Sequence, residues 1–170
     1  MNILSLCGSI RKDSTNMAVL KAVQNIFPVR CEWTHFDIDQ LPYFDPHLQF
    51  SADTPKIVQT LRAEAYKAKY IVISTPEYAH GIPGILKNAL EWLVCEETMK
   101  KSVVVFIATT TDGDHVKQYL LETLTTMDML AGLETTFVVK SARNRVSKAG
   151  EFIDSQLQAE VSQFLQRLTS

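Results

Sequence analysis

Cysteine is scarce in this chain: only Cys7, Cys31 and Cys95 occur among 170 residues, widely spaced and without a CxxC pair. That excludes a disulfide framework and a cysteine-based zinc site, and it leaves packed thiols as the reading of all three. An excess of charge of one sign is missing too, since 17 basic residues face 19 acidic ones for a net charge of -2 and a pI of about 6.1. There is no basic stripe for nucleic acid, so no nucleic-acid partner is expected. Long hydrophobic runs are also lacking, and nothing approaches the ~20 apolar residues needed to cross a bilayer. Met1 leads directly into an apolar stretch with no basic or hydrophobic presequence, so a cytosolic protein with no membrane partner is expected. Hydrophobic residues at 46% and charged residues at 21% give an ordinary globular balance, and no repeat or low-complexity tract interrupts it. One domain over residues 1–170 is the expectation.

What is present is a strict alternation. Apolar segments of strand length lie at residues 2–7, 31–36, 70–75, 103–109 and 135–139, several of them apolar at nearly every position, as strands covered on both faces must be. Between and after them, helical spacing predicts helices at 15–27, 55–67, 83–94, 115–130 and 149–168. Alternating strands and helices imply an α/β protein with a parallel sheet and helices on both sides. Pro55 and Pro83 suit the first turn of their helices, where a missing amide costs nothing, and Gly132 reads as the stop after the fourth helix. Residues 37–54, broken by Pro42 and Pro46, read as an irregular excursion. In such a sheet the ligand crevice lies beyond the carboxyl ends of the strands, which directs attention to the loops 8–16, 76–83 and 110–114.

The first of these loops, GSIRKDSTN at residues 8–16, has the composition of an anion cradle. Gly8 lets the backbone turn and approach a ligand. Ser9, Ser14 and Thr15 offer hydroxyls, Arg11 a planar fork of donors, and the next helix its unpaired amides. Ser14 or Thr15 acting as a helix cap accounts for part of this pattern without any ligand. The second loop opens with Pro76-Glu77-Tyr78 and turns into a helix through Gly81, Pro83 and Gly84, a setting of fixed backbone groups suited to a flat polar ring. It is also readable as a plain strand-to-helix connection.

GSIRKDSTN matches, at every fixed position, the GSxRxxSxN phosphate loop of the NAD(P)H-dependent FMN reductases of flavodoxin-like fold, a family that includes quinone, azo and chromate reductases. PEYAHGIPGILKNALEW at residues 76–92 resembles that family's second signature, PEYNxxxPGxLKNxxDW. The resemblance implies an α/β three-layer flavodoxin-like fold, a five-stranded parallel sheet of order 2-1-3-4-5 with helices on both faces. It implies noncovalent FMN, NADPH or NADH as co-substrate, ping-pong hydride transfer, and a small electron acceptor: a quinone, an azo compound, a metal oxyanion or free flavin. A homodimer or homotetramer is implied as well. Ser9, Arg11, Ser14 and Asn16, with Thr15 beside them, would hold the FMN phosphate. Pro76, Glu77 and Tyr78, with Ala79, His80 and Gly81 completing the loop, would line the ring and ribityl chain. Thr110 and Thr111 would meet the pyrimidine edge.

This chain departs from the family at Ala79, where many members have Asn, at Glu91, where many have Asp, and after the fourth strand, where TTTDGDH replaces a glycine-rich SxGxxGG. His80 invites a catalytic role beside a flavin, but hydride transfer needs no protein base, so no catalytic residue is assigned; His35 and His115 are read as structural. Lys140, Arg143, Arg145 and Lys148 form a basic cluster, read as a solvated patch in preference to a site for the extra phosphate of NADPH. Two other readings fit an FMN-binding fold: a flavodoxin-type electron carrier, usually far more acidic than -2, and a flavin-binding module whose redox state alters its assembly.

Overall fold

The computed structural model describes residues 1–11 and 13–169; Lys12, inside the first motif, lies outside the described residues. Five parallel strands, β1 (Asn2–Cys7), β2 (Glu32–Phe36), β3 (Tyr70–Pro76), β4 (Ser102–Thr109) and β5 (Thr136–Lys140), form one sheet of order β2-β1-β3-β4-β5. Around it run α1 (Thr15–Ile26), α2 (Lys56–Lys67), α3 (Gly84–Trp92), α4 (Asp114–Thr126), the short α5 (Ala142–Arg145) and α6 (Ser155–Thr169). This is the flavodoxin-like architecture the motifs imply.

Strand side chains alternate between two cores. Leu4, Leu6, Ile71, Ile73, Val103, Val105 and Ile107 pack beneath α2, α3 and α4, while Ile3, Cys7, Val72, Val104, Phe106 and Val139 pack beneath α1 and α6. Burial on both faces is why the central strands carry no polar alternation. Because β1 sends its helix to one face and β3 to the other, the two connections diverge and open a crevice at their carboxyl ends.

The excursion at residues 37–54 is irregular apart from a tight turn at Ile38–Gln40, and the family motif on α3 holds it down. Asn88 Oδ1 accepts from the amide of Phe44 at 2.7 Å, and both Asn88 Nδ2 and Trp92 Nε1 donate to the carbonyl of Pro42, at 3.0 and 2.9 Å.

Several boundaries differ from the sequence expectation. The fourth helix ends at Thr126 rather than 130, because Asp128 adopts a positive φ of 58° and Leu130 then pairs with Ser102 at the foot of β4. Gly132 therefore does not stop a helix; it begins the tight turn Leu133–Thr135, which moves β5 on by one residue. Residues 142–145 form a helix that periodicity did not predict, and a bridge between Val146 and Phe152 delays α6 to Ser155.

Candidate functional site

One cavity of about 430 Å³ opens at the carboxyl end of the sheet. The loop after β1 gives it Ser9, Arg11, Ser14, Thr15 and Asn16, the loop after β3 gives Pro76, Glu77 and Tyr78, and the loop after β4 gives Thr110. Ala79, His80, Gly81 and Thr111, also named from sequence, do not line it. A fourth wall, Ser141 to Asn144 after β5, was not foreseen as part of a site and includes Arg143.

The first loop is built differently from a bare helix-end cradle. Ser14 is buried and caps α1, its Oγ accepting from the amides of Asn16 at 3.2 Å and Met17 at 3.4 Å. Both readings of Ser14 are compatible, since a hydroxyl that accepts from helix amides still has a proton to donate into the cavity. The amides of Asn16 and Met17 are not free, however, so they do not add to the donors offered to an anion here. Asn16 is also buried and accepts from Ser74 Oγ at 3.0 Å, tying α1 to β3 while lining the cavity. Arg11 is exposed and has no ion-pair partner among the described residues. Gly8 sits at the bend that ends β1; a Cβ there would come within 2.9 Å of Thr75 Oγ1 and 3.2 Å of Leu86, so glycine also allows the chain to lie close against β3 and α3.

Tyr78 and Gly81 exchange two backbone hydrogen bonds of 2.9 Å, closing a two-residue hairpin with Ala79 and His80 at its tip. These tip residues and Gly81 fall outside the cavity lining. Ala79 and His80 both have positive φ, 49° and 62°, the left-handed geometry of a type I′ turn. Gly81 and Gly84 have room for a Cβ, so the tightness of this loop lies in Ala79 and His80 and not in its glycines. A left-handed alanine costs about 1–2 kcal/mol, and asparagine tolerates that region better. Ala79→Asn is therefore expected to stabilise the fold by about 0.5–1 kcal/mol, raising Tm by about 1–4 °C. A thermal melt in which the variant unfolds at or below the parent temperature would contradict the turn geometry.

Glu77 joins the second and third loops. Its side chain is only 8% exposed, and Oε2 accepts from Thr109 Oγ1 at 2.9 Å and from Thr111 Oγ1, while Oε1 lies 3.5 Å from His80 Nδ1. Thr109 Oγ1 accepts the amide of Thr111, and Thr111 Oγ1 accepts the amide of Gly113, each at 3.1 Å. This hydroxyl ladder, with Gly113 at φ 70°, takes the place of the missing glycines and turns Thr111 away from the cavity. His80 in turn meets His115 edge-on, ring centroids 4.6 Å apart.

The Thr111 hydroxyl, then Thr109 and His80, hold the Glu77 carboxyl below its ordinary range against the opposing effect of burial. A carboxylate with a lowered folded pKa contributes stability fully above its unfolded value, about 4.3, and loses it as pH falls through the folded value. Glu77→Gln should therefore flatten the acid limb of the stability curve below about pH 5. Parallel acid limbs for parent and variant in urea titrations would show that Glu77 does not carry this linkage.

The basic cluster after β5 separates into distinct roles. Lys140 pairs with Asp112, Arg145 Nε with Asp154 at 2.7 Å, and Lys148 with Asp13 at 3.6 Å. Arg143 is exposed, as Lys140 and Lys148 are, but has no such partner among the described residues and lines the cavity.

Comparison with known proteins supplies independent information. A family model described as NADPH-dependent FMN reductase matches residues 1–144. A quinone reductase of Escherichia coli is 29% identical over 161 residues, covering 91% of this chain and 86% of that protein. The NADH:(hydroxy)cinnamate reductase subunit CrdA of Vibrio ruber is 27% identical, covering 96% and 83%. An NAD(P)H-dependent FMN reductase of Pseudomonas aeruginosa is 25% identical, covering 99% and 93%. Among solved structures, the flavoenzyme NAD(P)H:(acceptor) oxidoreductase FerB from Paracoccus denitrificans superposes with a TM-score of 0.85 at 21% identity, covering 98% of this chain and 93% of that one. At that identity the likeness speaks for the fold alone.

Proposed function

This chain belongs to the NADPH-dependent FMN reductase family, and from that premise we propose that the cavity seats FMN, its phosphate on Ser9, Arg11, Ser14 and Asn16, and that a quinone is the electron acceptor. The protein is an oxidoreductase that uses FMN with NAD(P)H, which removes the electron-carrier and regulatory-module readings. The observation that carries the site assignment is the single cavity uniting an arginine without a carboxylate partner, buried and half-buried hydroxyls, and the Pro76-Glu77-Tyr78 loop. A donor-rich end beside a more apolar one suits a phosphomonoester carrying a flat ring. The quinone reading is supported by the E. coli quinone reductase, which covers most of this chain.

When bound, FMN would supply the two-electron redox chemistry between the nicotinamide and the acceptor. The chain's own task is placement. Arg11 and the loop hydroxyls neutralise and orient a phosphate. Glu77 fixes the relative position of the loops after β3 and β4 through Thr109 and Thr111. Tyr78, 50% exposed, offers an aromatic face at the mouth where a nicotinamide or quinone would stack. Ile10, 64% exposed, lines a neighbouring cavity that shares Ser9, Arg11 and Tyr78 with the first, and these open apolar groups support a homodimer or homotetramer in which a second copy covers them. Three free cysteines, two of them buried, support a reducing, cytosolic setting.

Anaerobic stopped-flow mixing tests the reading. Bound flavin should bleach fully with NADPH or NADH and recover on adding a benzoquinone, each step in one two-electron phase. Protein that takes up no added FMN, or flavin that neither nucleotide reduces, would overturn it.

A further inference from the structure

Arg143 stands apart from Lys140, Arg145 and Lys148: like Arg11, it lines the cavity without a carboxylate partner among the described residues. It lies on α5, whose position is fixed on both sides. Ser141 enters at a positive φ of 53° with its amide on Thr109 O at 3.0 Å, Ala142 is buried among the residues under α1, and Arg145 is anchored to Asp154. The backbone at residue 143 is thus held over the same cavity that Arg11 enters, while the guanidinium meets no carboxylate among the described residues.

Charge at the proposed phosphate end calls for such a group. A phosphomonoester carries roughly -1.5 to -2 near neutral pH. Against it stand Arg11 and the N-terminus of α1, worth about half a charge, where the amides of Asn16 and Met17 are already taken by Ser14. Asp13, which also lines the cavity, is offset by Lys148 at 3.6 Å. One arginine and a capped helix end leave a dianion incompletely neutralised.

We propose that Arg143 is a second phosphate-binding residue for FMN, reaching the flavin phosphate from α5 while Arg11 reaches it from the loop after β1. The inference rests on the reading of the cavity as the FMN site and adds a cation that the family's phosphate motif does not contain. Two arginines that reach one phosphate from separate elements raise selectivity for the phosphorylated flavin over riboflavin, because riboflavin leaves both guanidinium groups without their acceptor.

The test is fluorescence titration of flavin-free protein with FMN and with riboflavin, for the parent, Arg143→Ala and Arg143→Lys, with thermal melts to confirm that each variant is folded. Arg143→Ala should weaken FMN about tenfold and leave riboflavin unchanged, its FMN affinity should depend less on salt, and Arg143→Lys should keep part of the difference. Unchanged FMN affinity in Arg143→Ala overturns the proposal. So does an unchanged FMN affinity accompanied by a raised KM for NADPH but not NADH, which would assign the side chain to the nucleotide's phosphate. A parent protein that binds no FMN would instead remove the reading of the cavity itself, and the parent titration alone reveals that case.

Discussion

Arg11→Ala is expected to weaken FMN binding by about 1.5–3 kcal/mol, roughly 10- to 150-fold, if the guanidinium makes a charge-assisted bond to phosphate. The size follows from the site. Arg11 has no ion-pair partner among the described residues that would compensate for losing the ligand, and two of the α1 amides that could substitute, those of Asn16 and Met17, are capped by Ser14. Arg11→Lys should recover only part of the loss, because an ammonium is a point charge and cannot fork across two phosphate oxygens. Riboflavin affinity should stay constant across all three proteins. Equal FMN affinity for parent and Arg11→Ala, measured by the same titration, would take Arg11 out of the site.

Trp92→Ala should produce the largest loss of stability, about 3–5 kcal/mol, or a Tm lowered by about 6–20 °C. Trp92 is fully buried and contacts Phe44 edge-on at 5.0 Å between ring centroids. Truncation would leave a cavity beneath α3 and remove one of the side chains that bind the excursion at residues 37–54. Trp92→Phe should cost much less, because the carbonyl of Pro42 keeps the Asn88 donor when the indole N–H is lost. A loss in Trp92→Ala no larger than in Trp92→Phe, by urea denaturation, would mean the ring does not pack as described. The Asn and Trp of the second family motif thus have a structural duty here, distinct from contact with a flavin.

The sheet was legible because its central strands are apolar on both faces, and the first loop because GSIRKDSTN concentrates donors at a strand end. Other features leave no comparable trace. Ala79 and His80 carry no turn signature, yet form a left-handed pair because the Tyr78–Gly81 bridge imposes it. After β4 the family's glycines are missing, and Thr109 and Thr111 hold the loop instead through hydroxyl bonds within it and to Glu77 on a separate segment. Arg143 could not be told from Lys140, Arg145 and Lys148 by composition, since the difference lies in which carboxylates fold back to meet the others. The available signal was placement: residues 141–144 follow a strand's carboxyl end, where such sheets build their sites. Periodicity overran the end of α4 because it does not register a residue such as Asp128 that leaves the helix at positive φ.

The central claim is that this cavity recognises a flavin by its phosphate. Titrating flavin-free parent protein with FMN and riboflavin side by side tests it most directly. FMN should bind at least tenfold more tightly, with the gap narrowing as salt is raised from low to high ionic strength. Equal affinities, independent of salt, would contradict the account.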